Sequence, residues 1–110
     1  EALIDAIQTQ SFRAILASTH LFSHITNWPK LYKLAKEKDC WQKVGALYDI
    51  SKMYFRVKKM PSRYQKQKFI KKHFLIKRYN TTEKMYNPIK NKWNTEIPFQ
   101  TGDIRKVMAS

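Results

Sequence analysis

Residues 73 to 99, "HFLIKRYNTTEKMYNPIKNKWNTEIPF", decide whether this chain is wholly helical or mixed. "HFLIKRY" (73–79) is a short run with an apolar centre, and "KWNTEIPF" (92–99) sets Trp93, Thr95, Ile97 and Phe99 against Asn94, Glu96 and Pro98. Alternation with a period of two is the pattern of a half-buried strand. Pro98 has no N–H to give a ladder, which puts that strand at a sheet edge. "NTTE" and "NPIKN" are turn material. The expected product is a small antiparallel sheet of two or three strands, with a short last helix from Gly102 or Asp103.

Upstream of this region the period becomes helical. In "SFRAILASTHLFSHI" the apolar residues Phe12, Ile15, Leu16, Phe22 and Ile25 recur at helical spacing, and Ser11 is placed to cap them. "NWPKLYKLAKEK" offers Asn27 as cap, Pro29 inside the first turn, and Leu31, Leu34 and Ala35 as a buried stripe. In "DCWQKVGALYDISKMYF" Asp39 and Gln42 have the spacing of a capping box, and Trp41, Val44, Tyr48 and Phe55 share a face. Gly45 on that face would admit another helix closely. The fold class is therefore α+β: three to four short antiparallel helices packed on a small C-terminal antiparallel sheet. One domain spans 1–110, with a helical half (1–55), a basic junction (56–78) and a strand-rich half (79–110).

The junction, "RVKKMPSRYQKQKFIKKHFLIKR", carries Arg56, Lys58, Lys59, Arg63, Lys66, Lys68, Lys71, Lys72, Lys77 and Arg78 without one carboxylate. Of the chain's net charge of +14, residues 30–79 supply +13. As one continuous helix, 62–78 would scatter its bases around the circumference and leave Tyr64, Phe69, Ile70, Phe74, Leu75 and Ile76 ungathered, which argues against a membrane-surface helix. A short helix opening at Pro61 and giving way to a strand near His73 fits better. It places bases on adjoining surfaces, where their summed field can hold a polyanion.

Seventeen of the 22 bases are Lys and five are Arg. Lysine meets phosphate as a point charge, whereas bidentate reading of guanine edges favours Arg, so backbone contact with little sequence selectivity is expected. Neutralising about six phosphates would give a slope of log K on log salt near −5. The ten bases and Tyr64, the one ring expected at the surface for stacking, form the candidate site, with DNA favoured over RNA. The plain alternative is a solvated lysine face in a chain rich in Lys, Asn, Ile and Tyr, as an A/T-rich genome encodes. Such a bias does not by itself clear every acid from residues 50–82.

Other chemistries lack material. Hydrophobic residues at 43% and fifteen aromatics argue for a folded core despite the charge. The single Cys40 excludes an internal disulfide and reads as a buried or inert thiol in a reducing compartment. His20 and His24 stand four apart, but no third ligand presents itself, so no metal or other cofactor is expected. Eight carboxylates, in a close pair only at "EKD" (37–39), and two glycines, Gly45 and Gly102, offer no material for two-metal or glycosidase chemistry and no phosphate-cradling loop, so no enzymatic activity is expected. No apolar run approaches the ~20 residues of a membrane span, and no signal-peptide layout is seen, so a soluble, cytoplasmic protein is expected. The chain starts at Glu1, directly in a helical pattern, and is read as cut from a longer protein or lacking a disordered start.

"NWPKLYKLAKEKDCWQKVGALYDISKMY" followed by "VKKMPSRYQKQ" resembles the C-terminal domain of AbiEi-type antitoxins, the transcription-regulating partners of type IV toxin-antitoxin systems. The features shared are the "W..L..LA" helix, the "VGALYD" helix and the "MP.R" that opens the next segment, within residues 1–75. The resemblance implies a regulator whose winged helix, outside these residues, binds operator DNA while this domain assists and counters a nucleotidyltransferase toxin. A basic face suits a DNA backbone. It also suits an acidic protein partner such as that toxin, and an RNA-binding accessory role is the third alternative.

Overall fold

Four α-helices build the first half of the chain in the computed structural model, which describes residues 2–9, 11–66, 68–76, 84–100 and 102–103. They are α1 (Ala2–Gln8), α2 (Phe12–Ser18), α3 (Trp28–Glu37) and α4 (Trp41–Ser51), with a 3-10 turn at Thr19–His24 between α2 and α3. The expected caps form: Ser11 Oγ accepts from the Ala14 N–H, and Asn27 Oδ1 from the Lys30 N–H. Pro29 lies in the first turn of α3, where a missing N–H matters least.

α3 ends with Asp39 in the left-handed region at φ 53°, the Asp39 N–H bonding the Lys36 carbonyl and the Cys40 N–H the Ala35 carbonyl. This is the bonding of a glycine-type helix stop, made in a chain with two glycines by a residue whose short polar side chain tolerates the region. The expected capping box at Asp39 and Gln42 is therefore absent. Asp39 serves the turn, Cys40 takes the cap position without a side-chain bond, and Gln42 is directed to backbone elsewhere.

α4 is the centre of the fold. All its residues but Lys43 are buried, and it packs against α1, α3, the 3-10 turn and the elements of the second half. That half contains α5 (Ser62–Gln65), β1 (His73–Phe74), a 3-10 turn at Lys84–Tyr86, α6 (Asn87–Trp93) and β2 (Thr95–Glu96). Pro61 opens α5, and β1 begins at His73, where the junction was expected to change period.

The sheet corrects the expectation of antiparallel strands. β1 and β2 run parallel, His73 opposite Thr95 and Phe74 opposite Glu96. "NPIKN" is not a hairpin turn: Pro88 lies in the first turn of α6, and the chain returns through that helix, the connection that parallel pairing requires. Trp93, Thr95, Ile97 and Phe99 are all buried as their alternation implied, yet Trp93 ends a helix, and Glu96 and Pro98 are buried too. Residues 77–83, with the "NTTE" turn, and most of the expected last helix lie outside the described residues.

α4 and α6 meet at Gly45. A Cβ there would stand 2.3 Å from the Trp93 ring, so only glycine lets the indole seat itself. Trp93, fully buried, donates through Nε1 to Asp49 Oδ2 at 2.6 Å, and Lys52 and Lys92 pair with the same carboxylate at 2.9 and 3.6 Å. Among the described residues no helix is long and apolar enough to cross a membrane.

Candidate nucleic-acid interface

Segment 56–72 has one helical turn, so most of its backbone groups need partners from outside it. Side chains of α3 and α4 supply several. Trp28 Nε1 donates to the Lys58 carbonyl (3.1 Å), Trp41 Nε1 to the Tyr64 carbonyl (3.4 Å), and Gln42 Nε2 to the Lys71 carbonyl (2.8 Å). The Tyr48 hydroxyl accepts from the Met60 N–H at 3.1 Å. From the far side, Asn94 donates to the carbonyls of Phe69 and Ile70, both at 3.0 Å. Asn94 closes α6 in the left-handed region, at φ 47°, where Asn is among the least strained residues. Fully buried Met60 and the Phe69 ring against Trp93 at 5.5 Å complete the attachment.

The segment is thus tied down on its inner side, and its cations face outward. Arg56, Lys59, Lys66 and Lys68 are exposed, and their side chains have no ion-pair partner among the described residues. Lys58 is exposed and donates to the Thr26 carbonyl at 3.2 Å. Arg63 donates to the Tyr64 hydroxyl at 2.9 Å and lies over that ring. Lys71 stands 3.5 Å from Asp39, both side chains about three-quarters exposed, a pair of small worth. Lys72 is committed to Glu96 at 2.8 Å. Lys77 and Arg78 lie outside the described residues.

Tyr64 is a correction. It is 8% exposed, stacked on Tyr32 with centroids 4.4 Å apart and edge-on to Trp41 at 5.9 Å. A ring on the one-turn α5 facing the helical half adds more stability buried against other rings than it could in water. The exposed apolar side chain of the segment is instead Ile70, 98% exposed between Lys68 and Lys71.

Glu96 shows how the fold tolerates a carboxylate in its interior. Burial opposes its ionisation, but hydrogen bonds from Lys72 and Lys90, at 2.8 and 3.2 Å, outweigh that and hold the carboxyl below the ordinary glutamate range. Two lysines of a +14 chain are thereby engaged as counter-ions to a buried carboxylate.

A cleft of about 330 Å³ opens beside this region, lined by Lys38, Asp39, Lys43, Lys71, Lys72, His73 and Phe74. Reading the sequence missed Lys38 and Lys43, which precede the basic run by 18 and 13 residues. Their signal was the helix stop between them: a chain that reverses at Asp39 brings Lys38, the C-cap of α3, beside the first turn of α4. His73 is buried, its Nε2 without a hydrogen-bond partner among the described residues. Burial holds its imidazole below the ordinary histidine value, with Asp39 opposing and Lys43 and Lys71 reinforcing.

Cys40, His20 and His24 lie outside this cleft. Cys40 is buried, and burial pushes its thiol up, away from the nucleophilic thiolate. His20 and His24 stand edge-to-face at 5.7 Å, with His20 also against Phe55. Among the described residues no three His, Cys, Asp or Glu side chains gather as a metal site. Compared with known proteins, the chain matches no family model, no curated sequence and no solved structure.

Proposed function

We propose that this chain is a non-enzymatic regulatory domain that holds the sugar-phosphate backbone of nucleic acid, DNA before RNA, in the cytoplasm. Its working face is the outward side of segment 56–68, with Arg56, Lys59, Lys66 and Lys68 as the principal phosphate contacts. One observation carries the reading: four cations without carboxylate partners among the described residues stand on a segment whose backbone is fastened to the core by Trp28, Trp41 and Tyr48. Cations on an already ordered backbone lose less conformational freedom on binding than lysines on a loose loop. The antitoxin-like regulator suggested by the sequence resemblance is the context proposed for such a face, with the winged helix supplying sequence recognition.

The test is binding of the chain to short duplex DNA, single-stranded DNA and RNA across a salt series. Four to six phosphates neutralised would give a slope of log K on log salt of about −4 to −5. Charge reversal at Lys59, Lys66 and Lys68 should flatten that slope by about 1 for each phosphate that is no longer neutralised. A salt-independent affinity, or one untouched by the reversals, would sink the proposal.

A second reading has its own support. Ile70 stands almost fully exposed among the lysines, an apolar point in a basic field. An acidic protein with an apolar pocket would fit both features, and the cognate toxin is the partner that the resemblance suggests. A stoichiometric protein complex weakened by Ile70→Ser, with no affinity for nucleic acid, would favour this reading.

A further inference from the structure

The cleft between the end of α3, the first turn of α4 and β1 lies beside the face just described and is built differently. Its wall carries four lysines, Lys38, Lys43, Lys71 and Lys72, against one carboxylate, Asp39. Lys72 is held by Glu96 at 2.8 Å, and Lys71 is shared loosely with Asp39 at 3.5 Å. Lys38 and Lys43 have no ion-pair partner among the described residues. Cys40 caps α4 with no side-chain bond, so the first N–H groups of an eleven-residue helix are left without that partner at the same place. His73 adds an independent observation. It is 8% exposed and lines the cleft, and its Nε2, closed to solvent, has no hydrogen-bond partner among the described residues. Such a group is costly unless something bonds to it.

We propose that this cleft is a binding site for a single phosphate monoester group, with Lys38 and Lys43 as its primary cations, Lys71 recruited from Asp39, and the His73 imidazole as part of its wall. A compact dianion suits the recess better than a strand of backbone, because the lysines surround a pocket rather than follow a track. Asp39 is the internal competitor. Its carboxylate occupies Lys71 when the cleft is empty and repels an incoming anion, so its removal should tighten binding while removal of a lysine weakens it. The group can come from a phosphorylated end of a nucleic acid or from a free phosphorylated small molecule. Neither source requires the backbone face of segment 56–68.

The experiment is an NMR titration of the 110-residue chain with inorganic phosphate at constant ionic strength, reading the three histidine rings. The expected result is a saturable shift of His73 with His20 and His24 unmoved, and no such shift with chloride. Lys43→Gln and the exposed Lys38→Gln should each weaken binding about five- to tenfold, and Asp39→Asn, which keeps a residue suited to the left-handed turn, should tighten it several-fold. Two independent lysine variants guard against a folding defect in one. Parallel shifts of all three rings, or equal affinity in the lysine variants, would show general screening and overturn the site. A second arm compares 5′-phosphorylated with unphosphorylated oligonucleotides. Preference for the phosphorylated end, abolished by Lys43→Gln, assigns the group to nucleic acid; equal binding of both with a saturable response to free phosphate assigns it to small molecules. Charge reversal at Lys59 and Lys66 separates the two sites, since it should lower oligonucleotide affinity and leave the His73 titration unchanged.

Discussion

The helical half and the segment that follows it are held together by different means. The helices within residues 12–51 bond most of their backbone internally, with side-chain caps at Ser11 and Asn27. Residues 56–76 have little regular structure, and their carbonyls and N–H groups are met by indoles, a phenol and two amides from distant parts of the chain. A helix is robust to the loss of one side chain. The laced segment has no such reserve, and its shape depends on a few polar atoms at particular positions.

The contrast can be broken most forcefully at the point where both regions meet. Gly45→Ala would drive a methyl into the Trp93 ring and should cost about 3 kcal/mol in chemical denaturation, lowering the stability of both regions together. Gln42→Leu is more selective. It strips a donor that meets the carbonyls of Lys71 and Trp93 and should cost about 2 kcal/mol. Amide exchange should quicken around residues 68–72 and stay unchanged in α2; an equal effect on both would mean that the lacing is not local.

Acid sharpens the contrast further, since the perturbed carboxylate and imidazole, Glu96 and His73, both belong to the second half. Glu96 has a folded pKa below its unfolded value, so its contribution is present above the ordinary glutamate pKa and is lost as pH falls through the folded value. His73 is also lowered, so the unfolded chain takes up its proton first, and stability declines as pH falls below about 6.5. Glu96→Gln should cost about 1 to 2 kcal/mol at neutral pH and flatten the acid limb, while His73→Gln should flatten the shallower slope above it. If neither variant alters the pH profile, the ion pairs of Lys72 and Lys90 are not coupled to folding. The smallest effect on stability belongs to Lys59→Glu and Lys66→Glu, expected within about 0.5 kcal/mol. A larger change would mean that these lysines hold the fold rather than stand ready for a ligand.

Much of the helical half was legible because its signals are local. Caps, an N-terminal proline and a 3.6-residue period are read within a window of a few residues. The break at Met60–Pro61 and the strand beginning near His73 were legible for the same reason. The sheet direction was not, because "NPIKN" is ambiguous between a turn and a helix start, and only packing of Trp93 on Gly45 decides in favour of the helix. Gln42 was misread as a cap for a related reason: its partners lie 29 and 51 residues away. Of the candidate site, the positions of the bases were readable but their commitments were not. Whether a lysine meets solvent or a buried carboxylate, as Lys72 does, depends on where Glu96 ends up. Tyr64 was misplaced because a ring amid charges looks exposed in one dimension and is buried in three.

The clamp that Asn94 places on the carbonyls of Phe69 and Ile70 also bears on time. It joins residues 25 and 24 positions apart, and the parallel pairing of His73 with Thr95 spans nearly as far. Pairings of such separation must close a long loop before they return any stability, so they form late in folding. A chain emerging from the ribosome therefore displays the whole basic run well before residue 94 arrives to fix its shape. Until then its shape rests on the upstream side chains of Trp28, Trp41, Gln42 and Tyr48 alone, and the outer clamp is added only once residue 94 has been made.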